Sequence, residues 1–88
     1  MKDKVMMELS LVLENSKLKE DMGIESLHFA KCTFNILTID YYRESFTEDG
    51  ELEPYTVVIL DTGILLTVDK PYEEFKYIYN KAIKEYEQ

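Results

Sequence analysis

His28 and Cys32 are the only histidine and the only cysteine in the chain, and they stand four residues apart. On a helix that spacing would set both side chains on one face, as metal ligation or thiolate activation requires. Zinc usually takes four ligands, and a catalytic cysteine needs an orienting third group; the sequence offers neither, so both are read as structural residues of an apolar stretch. The other concentration of reactive groups is acidic. Glu44, Glu48, Asp49, Glu51 and Glu53 follow one another with no basic residue between them, and residues 40–54 hold six acids and one base, −5 of a formal net −8. The D-x-D-x-D-G-x₅-E calcium pattern is absent, so no metal site is expected. Two roles suit such a run. It can be a solvated connection whose charge discourages edge-to-edge aggregation. It can also be presented to a basic partner protein, since carboxylates at strand spacing imitate the charge of a nucleic-acid backbone and steer association. Seven tyrosines accompany the acids. Tyr79 and Tyr86 fall on an apolar helix face and are read as core, whereas Tyr77, Tyr55 and one of Tyr41 and Tyr42 are candidates for a recognition surface.

The rest of the composition bounds what these residues can serve. At 88 residues and 10.4 kDa, with 18 acids, 10 bases and 45% hydrophobic residues, the chain reads as one folded acidic domain covering 1–88. One cysteine cannot make an internal disulfide, which points to a reducing cytoplasm. The longest apolar run, Val57 to Leu60, is far short of the roughly 20 residues a membrane span needs, and no signal peptide is recognised. Net negative charge argues against direct nucleic-acid binding, because affinity for phosphates rests on Lys and Arg.

The elements that must position the candidates are legible in part. From Pro71 to Gln88, the residues Phe75, Ile78, Tyr79, Ala82, Ile83 and Tyr86 recur on one face of an amphipathic helix. Asp69 and Pro71 stand at its start, Glu73 and Glu74 at its positive end, and Lys81 and Lys84 toward its negative end. Thr56–Leu60 and Ile64–Val68, separated by Asp61-Thr62-Gly63, read as a β-hairpin whose turn uses Gly63 at positive φ. Cys32–Tyr42 has strand composition, and Arg43–Pro54 connects it to the hairpin through a turn at Glu48-Asp49-Gly50. Lys4–Glu14 admits two periods. Val5, Leu9, Val12 and Leu13 share a helix face, while Met7, Leu9, Leu11 and Leu13 alternate as in a strand. The helix is preferred, capped by Asp3 and stopped by Gly23 with Ile24 packing back on Leu18. Ile24–Lys31 is ambiguous between a short helix and a strand entry.

With the hairpin placed, Asp61-Thr62-Gly63 and its apolar flanks resemble the active-site triplet of retroviral-type aspartic proteases, small homodimers whose paired aspartates share a proton. That family has a small residue after the triplet and glycine-bearing elements downstream. Here Ile64 follows, no glycine comes after Gly63, and 25 residues remain. The triplet is accordingly read as a turn that takes Asp and Gly for backbone reasons, and no catalytic residue is assigned. Over residues 36–83 the chain resembles the small FlbD-like proteins of flagellar operons. The matching residues are Ile36 and Ile39, Thr56-Val57-Val58-Ile59-Leu60, Gly63, Leu66-Thr67-Val68 and Pro71-Tyr72-Glu73-Glu74. The resemblance implies a non-enzymatic regulatory or accessory role and no catalytic residues. In composition the chain is also similar to small acidic inhibitors from phages and mobile elements.

The expected fold is α+β: a small antiparallel sheet of three or four strands, the C-terminal helix packed on it, and an N-terminal helix. Because Val57–Leu60 and Ile64–Leu66 are apolar at consecutive positions, both sheet faces need cover. The C-terminal helix can cover only one, and the N-terminal segment or a second copy of the chain must cover the other, so a homodimer is expected. The expected function is a regulator or inhibitor without cofactor, binding a basic partner protein through Glu44, Glu48, Asp49, Glu51 and Glu53, with Tyr41, Tyr42, Tyr55 and Tyr77 as anchors. The alternative is a homo-oligomer that binds a nucleotide or metabolite in a tyrosine-lined pocket.

Overall fold

The computed structural model describes residues 3–14 and 27–87. These form β1 (Met6–Glu14), β2 (Leu27–Asn35), a 3₁₀ turn (Ile36–Thr38), β3 (Ile39–Phe46), β4 (Leu52–Leu60), β5 (Leu65–Val68) and α1 (Tyr72–Glu87). The strands make one antiparallel sheet in the order β2-β1-β5-β4-β3, and α1 packs against it. The class is α+β as expected, with five strands rather than three or four.

Lys4–Glu14 is not a helix. Met6–Glu14 pairs residue for residue with Leu27–Asn35, and Leu9 and Leu11 are buried while Glu8 is exposed. The alternating period wins because a strand partner is present to satisfy the backbone and bury alternate side chains, a tertiary effect that outweighs the helix propensity of Met and Leu. Residues 27–31 of the ambiguous segment belong to β2, whereas the expected stop at Gly23 and Ile24 lies outside the described residues. The expected strand Cys32–Tyr42 is two strands, broken at Ile36–Thr38.

That break bends the sheet. Asn35 lies opposite Met6, well before the Leu11–Val68 pair that joins β1 to β5, and Ile39 lies opposite Leu60, well beyond the Thr56–Val68 pair. In a flat sheet these two points would be roughly 30 Å apart, at about 3.3 Å per residue. The chain from Asn35 to Ile39 can reach at most roughly 14 Å. The β1–β2 hairpin must therefore turn across the β3–β4–β5 meander about the Leu11–Val68 contact. Bonds at the corner show the closure: the Ile36 N–H donates to the Val5 carbonyl at 2.9 Å, and the Asp61 N–H donates to the Thr38 carbonyl at 2.7 Å. Asn35 caps the turn, its Oδ1 accepting from the N–H groups of Val5 and Leu37, both at 3.1 Å. Ile36 is fully buried beneath it.

Residues directly opposite across an antiparallel pair share a face. Met7, Leu9 and Leu11 with Cys32 and Phe34, then Val68, Leu66, Val58, Leu60, Ile39 and Tyr42, form the inner surface on which Phe75, Ile78 and Tyr79 of α1 pack. The N-terminal hairpin thus joins the core on the helix side. The outer face keeps Val57 buried but leaves Met6, Phe29, Tyr41 and Leu65 exposed. Among the described residues no helix is long and apolar enough to cross a membrane.

Candidate functional site

The five expected carboxylates lie along the β3–β4 hairpin, which is mostly strand. β3 runs to Phe46 and β4 begins at Leu52, so residues 47–51 alone form the loop. The expected turn at Glu48-Asp49-Gly50 is present. Gly50 has φ +83° and its N–H donates to the Thr47 carbonyl at 2.9 Å, the Thr47 N–H donates to the Glu51 carbonyl at 2.8 Å, and Thr47 Oγ1 accepts from the Glu51 N–H at 3.0 Å. Glu48, Asp49 and Glu51 are exposed at this tip. Just behind them Phe46 and Leu52 are cross-strand partners, yet they remain 53% and 61% exposed. An exposed apolar pair next to an acidic loop has the composition of a contact surface with a polar rim.

Pro54 shapes the middle of the hairpin. Glu44 pairs with Thr56 but Ser45 pairs with Glu53, so Pro54 and Tyr55 have no partners on β3. Proline has no N–H to give the ladder, and the strand bulges where it stands. Behind the bulge, buried Ser45 donates through Oγ to Glu53 Oε1 at 2.7 Å. Glu53 is therefore half-buried and engaged within the fold, unlike the other four acids.

The bulge faces the start of α1. Thr56 is fully buried and donates through Oγ1 to the Lys70 carbonyl at 2.9 Å, while the Asp69 N–H donates to the Ser10 carbonyl at 2.8 Å. These bonds tie the β5–α1 connection to both β4 and β1. Pro71 immediately precedes the helix, and its carbonyl accepts the first helical bond, from the Phe75 N–H at 3.0 Å. Between bulge and helix start runs an open groove of about 360 Å³, lined by Leu52, Pro54, Pro71 and Tyr72 with Glu44, Glu53 and Glu73. Its wall is largely apolar and its charge entirely negative. Lys70, the nearby cation, is taken up by Glu74 at 3.3 Å.

Leu52, Pro54, Pro71, Tyr72 and Glu73 were not among the expected site residues. A signal for them exists: a hairpin turning at Asp61-Thr62-Gly63 sets residues equidistant from Thr62 side by side, which brings Leu52 to Tyr72 and Pro54 to Lys70.

The four tyrosines are not brought together. Tyr41 is exposed on the outer face opposite Ile59, Tyr55 is half-buried at the bulge, and Tyr77 is exposed on α1. Tyr42 points inward. Its ring lies 5.6 Å from Tyr72, 5.1 Å from Phe75 and 5.3 Å from Tyr79, a cluster that fills the space between helix and sheet. Burial, followed by the nearby Tyr72, Tyr79 and Glu73, pushes the Tyr42 hydroxyl above the usual tyrosine pKa. Tyr86, expected in the core, is exposed and donates its hydroxyl to Asp3 Oδ2 at 2.7 Å.

His28 and Cys32 lie on β2, where a four-residue spacing separates same-face residues by roughly 13 Å. They cannot converge on one ion within a chain. Cys32 instead packs half-buried against the core, and no metal-binding group occurs among the described residues. Asp61-Thr62-Gly63 forms the exposed β4–β5 turn, with Gly63 at φ +90° donating its N–H to the Leu60 carbonyl. Comparison of the chain with protein-family models, with curated proteins and with solved structures finds no match.

Proposed function

We propose that the protein is a non-catalytic regulator or inhibitor that binds a partner protein of basic surface through the β3–β4 hairpin. The observation that carries this reading is the tip, where exposed Glu48, Asp49 and Glu51 stand in the loop next to the exposed Phe46–Leu52 pair, with Glu44 continuing the charge along β3. Apolar contact at the centre and charge at the rim supply affinity and steering together. A protein whose basic surface ordinarily meets nucleic acid is the partner class such charge suits, and a cytoplasmic setting belongs to the same proposal. The accessory role implied by the FlbD-like resemblance is of the same non-enzymatic kind. The outer sheet face, with Met6, Phe29, Tyr41 and Leu65 exposed, is the surface through which two copies would associate.

The test is affinity capture from the native cell with the unaltered chain and with a variant carrying Glu44→Gln, Glu48→Gln, Asp49→Asn, Glu51→Gln and Glu53→Gln. The expected result is a captured protein with a basic surface that is lost with the variant and eluted by salt. Equal capture by both chains would overturn the proposal.

A further inference from the structure

We infer that the groove between the β4 bulge and the start of α1 receives a basic side chain, arginine above all, from an extended segment of the partner. This assignment rests on the functional reading above and names how that partner is gripped. Leu52, Pro54 and Tyr72 form an apolar trough, and Glu44, Glu53 and Glu73 stand around it. Among the described residues no cation pairs with Glu44 or Glu73, and the Ser45 hydroxyl occupies one oxygen of Glu53. Apolar walls and carboxylate rims together match a side chain that is aliphatic along its stem and cationic at its head. Arginine fits better than lysine. Its planar guanidinium can stack on Tyr72 while donating to carboxylates on two sides, which a compact ammonium cannot do. The volume, about 360 Å³, is at the lower end of the roughly 300–1,000 Å³ typical of ligand pockets and suits one or two residues of a peptide.

The walls are held independently of any ligand. Pro54 fixes the bulge, the Thr56–Lys70 bond fixes the chain entering α1, and the Tyr42 cluster backs Tyr72 from within. The groove is thus preformed, and little ordering opposes binding.

The test titrates the isotope-labelled full chain with three capped peptides, acetyl-Leu-Arg-Leu-amide and its lysine and citrulline counterparts, and follows backbone NMR shifts. The expected result is saturable shifts confined to Glu44, Leu52–Pro54 and Tyr72–Glu73, strongest for arginine and absent for citrulline. Glu44→Gln with Glu73→Gln should weaken arginine binding at least tenfold, and Leu52→Ala should weaken it while leaving every charge in place. The tip variant Glu48→Gln, Asp49→Asn, Glu51→Gln should leave it within twofold. Shifts spread over all surface carboxylates, equal response to citrulline, or indifference to the Glu44 and Glu73 changes would overturn the assignment. Unchanged NMR spectra away from the substitutions confirm that each variant is folded. Partner capture repeated with this three-residue tip variant separates the two failures: peptide binding at the groove together with undiminished capture would retain the groove and reject the hairpin tip.

Discussion

The carboxylates of this chain are neighbours in sequence but differ in what they can do. Glu53 is bound to buried Ser45, whereas Glu48, Asp49 and Glu51 face solvent at the tip. Ser45→Ala should cost roughly 1–2 kcal/mol in urea unfolding, because a half-buried carboxylate loses its donor; changing Glu48 to Gln should alter stability by less than about 0.5 kcal/mol. Tyr42 makes a separate expectation at high pH. Its hydroxyl pKa is raised above 10.0 in the folded state, with burial the main cause. The folded protein then holds this proton more tightly than the unfolded one, so the stabilisation is complete below about pH 10 and is lost as pH rises through the folded value. The melting temperature of the unaltered chain should fall more steeply as pH rises above about 10 than that of Tyr42→Phe. Parallel curves would contradict the assignment.

At the scale of elements, the turns and α1 follow from local chemistry, and the sheet's bend does not. Gly63 holds φ +90° with nothing within 4 Å of where a Cβ would stand, so Gly63→Ala should cost about 1–2 kcal/mol through backbone strain alone. Gly63→Asn should cost less, since asparagine tolerates that conformation better. Asn35→Ala should be at least as damaging, because Val5 and Leu37 would both lose the acceptor of their N–H groups at the corner that closes the sheet. Urea melts of the three variants check the order. These contrasts mark how much of the molecule was legible in its sequence. The Gly50 and Gly63 turns, the period of α1, and strands in both halves of the β4–β5 hairpin were readable because a few adjacent residues determine them. β1 was misread as helix because its period is ambiguous until β2 lies beside it. The break at Ile36–Thr38 was missed because apolar residues continue through it, and its cap, Asn35, makes its second bond to Val5, 30 positions away. The acidic run was legible as a surface. The groove was not, since its walls meet only when residues 52–54 are laid against 70–72.

For the molecule as a whole, the tip and groove of the β3–β4 hairpin combine acids with exposed Phe46 and Leu52, while a second set of exposed apolar residues lies on the outer sheet face. The β3–β4 hairpin and groove carry the acids, and the outer face carries Met6, Phe29, Tyr41 and Leu65. Dimerisation through the outer face should therefore leave the acidic surface free. Light scattering across the micromolar range should give twice the chain mass, and Phe29→Ser with Leu65→Ser should return it to one; a single-chain mass throughout would exclude the dimer. The space under α1 is filled by Tyr42, Tyr72, Phe75 and Tyr79, so a panel of nucleotides and metabolites should leave the melting temperature unchanged. The proposed contact between the β3–β4 hairpin and the partner can be measured residue by residue. Amide hydrogen exchange of the chain, alone and saturated with the captured protein, tests it most directly. Slowed exchange from Glu44 to Glu53 and at the start of α1, with β1 and β2 unchanged, is the expected result. Protection confined to β1 and β2, with the hairpin exchanging as in the free chain, would contradict it.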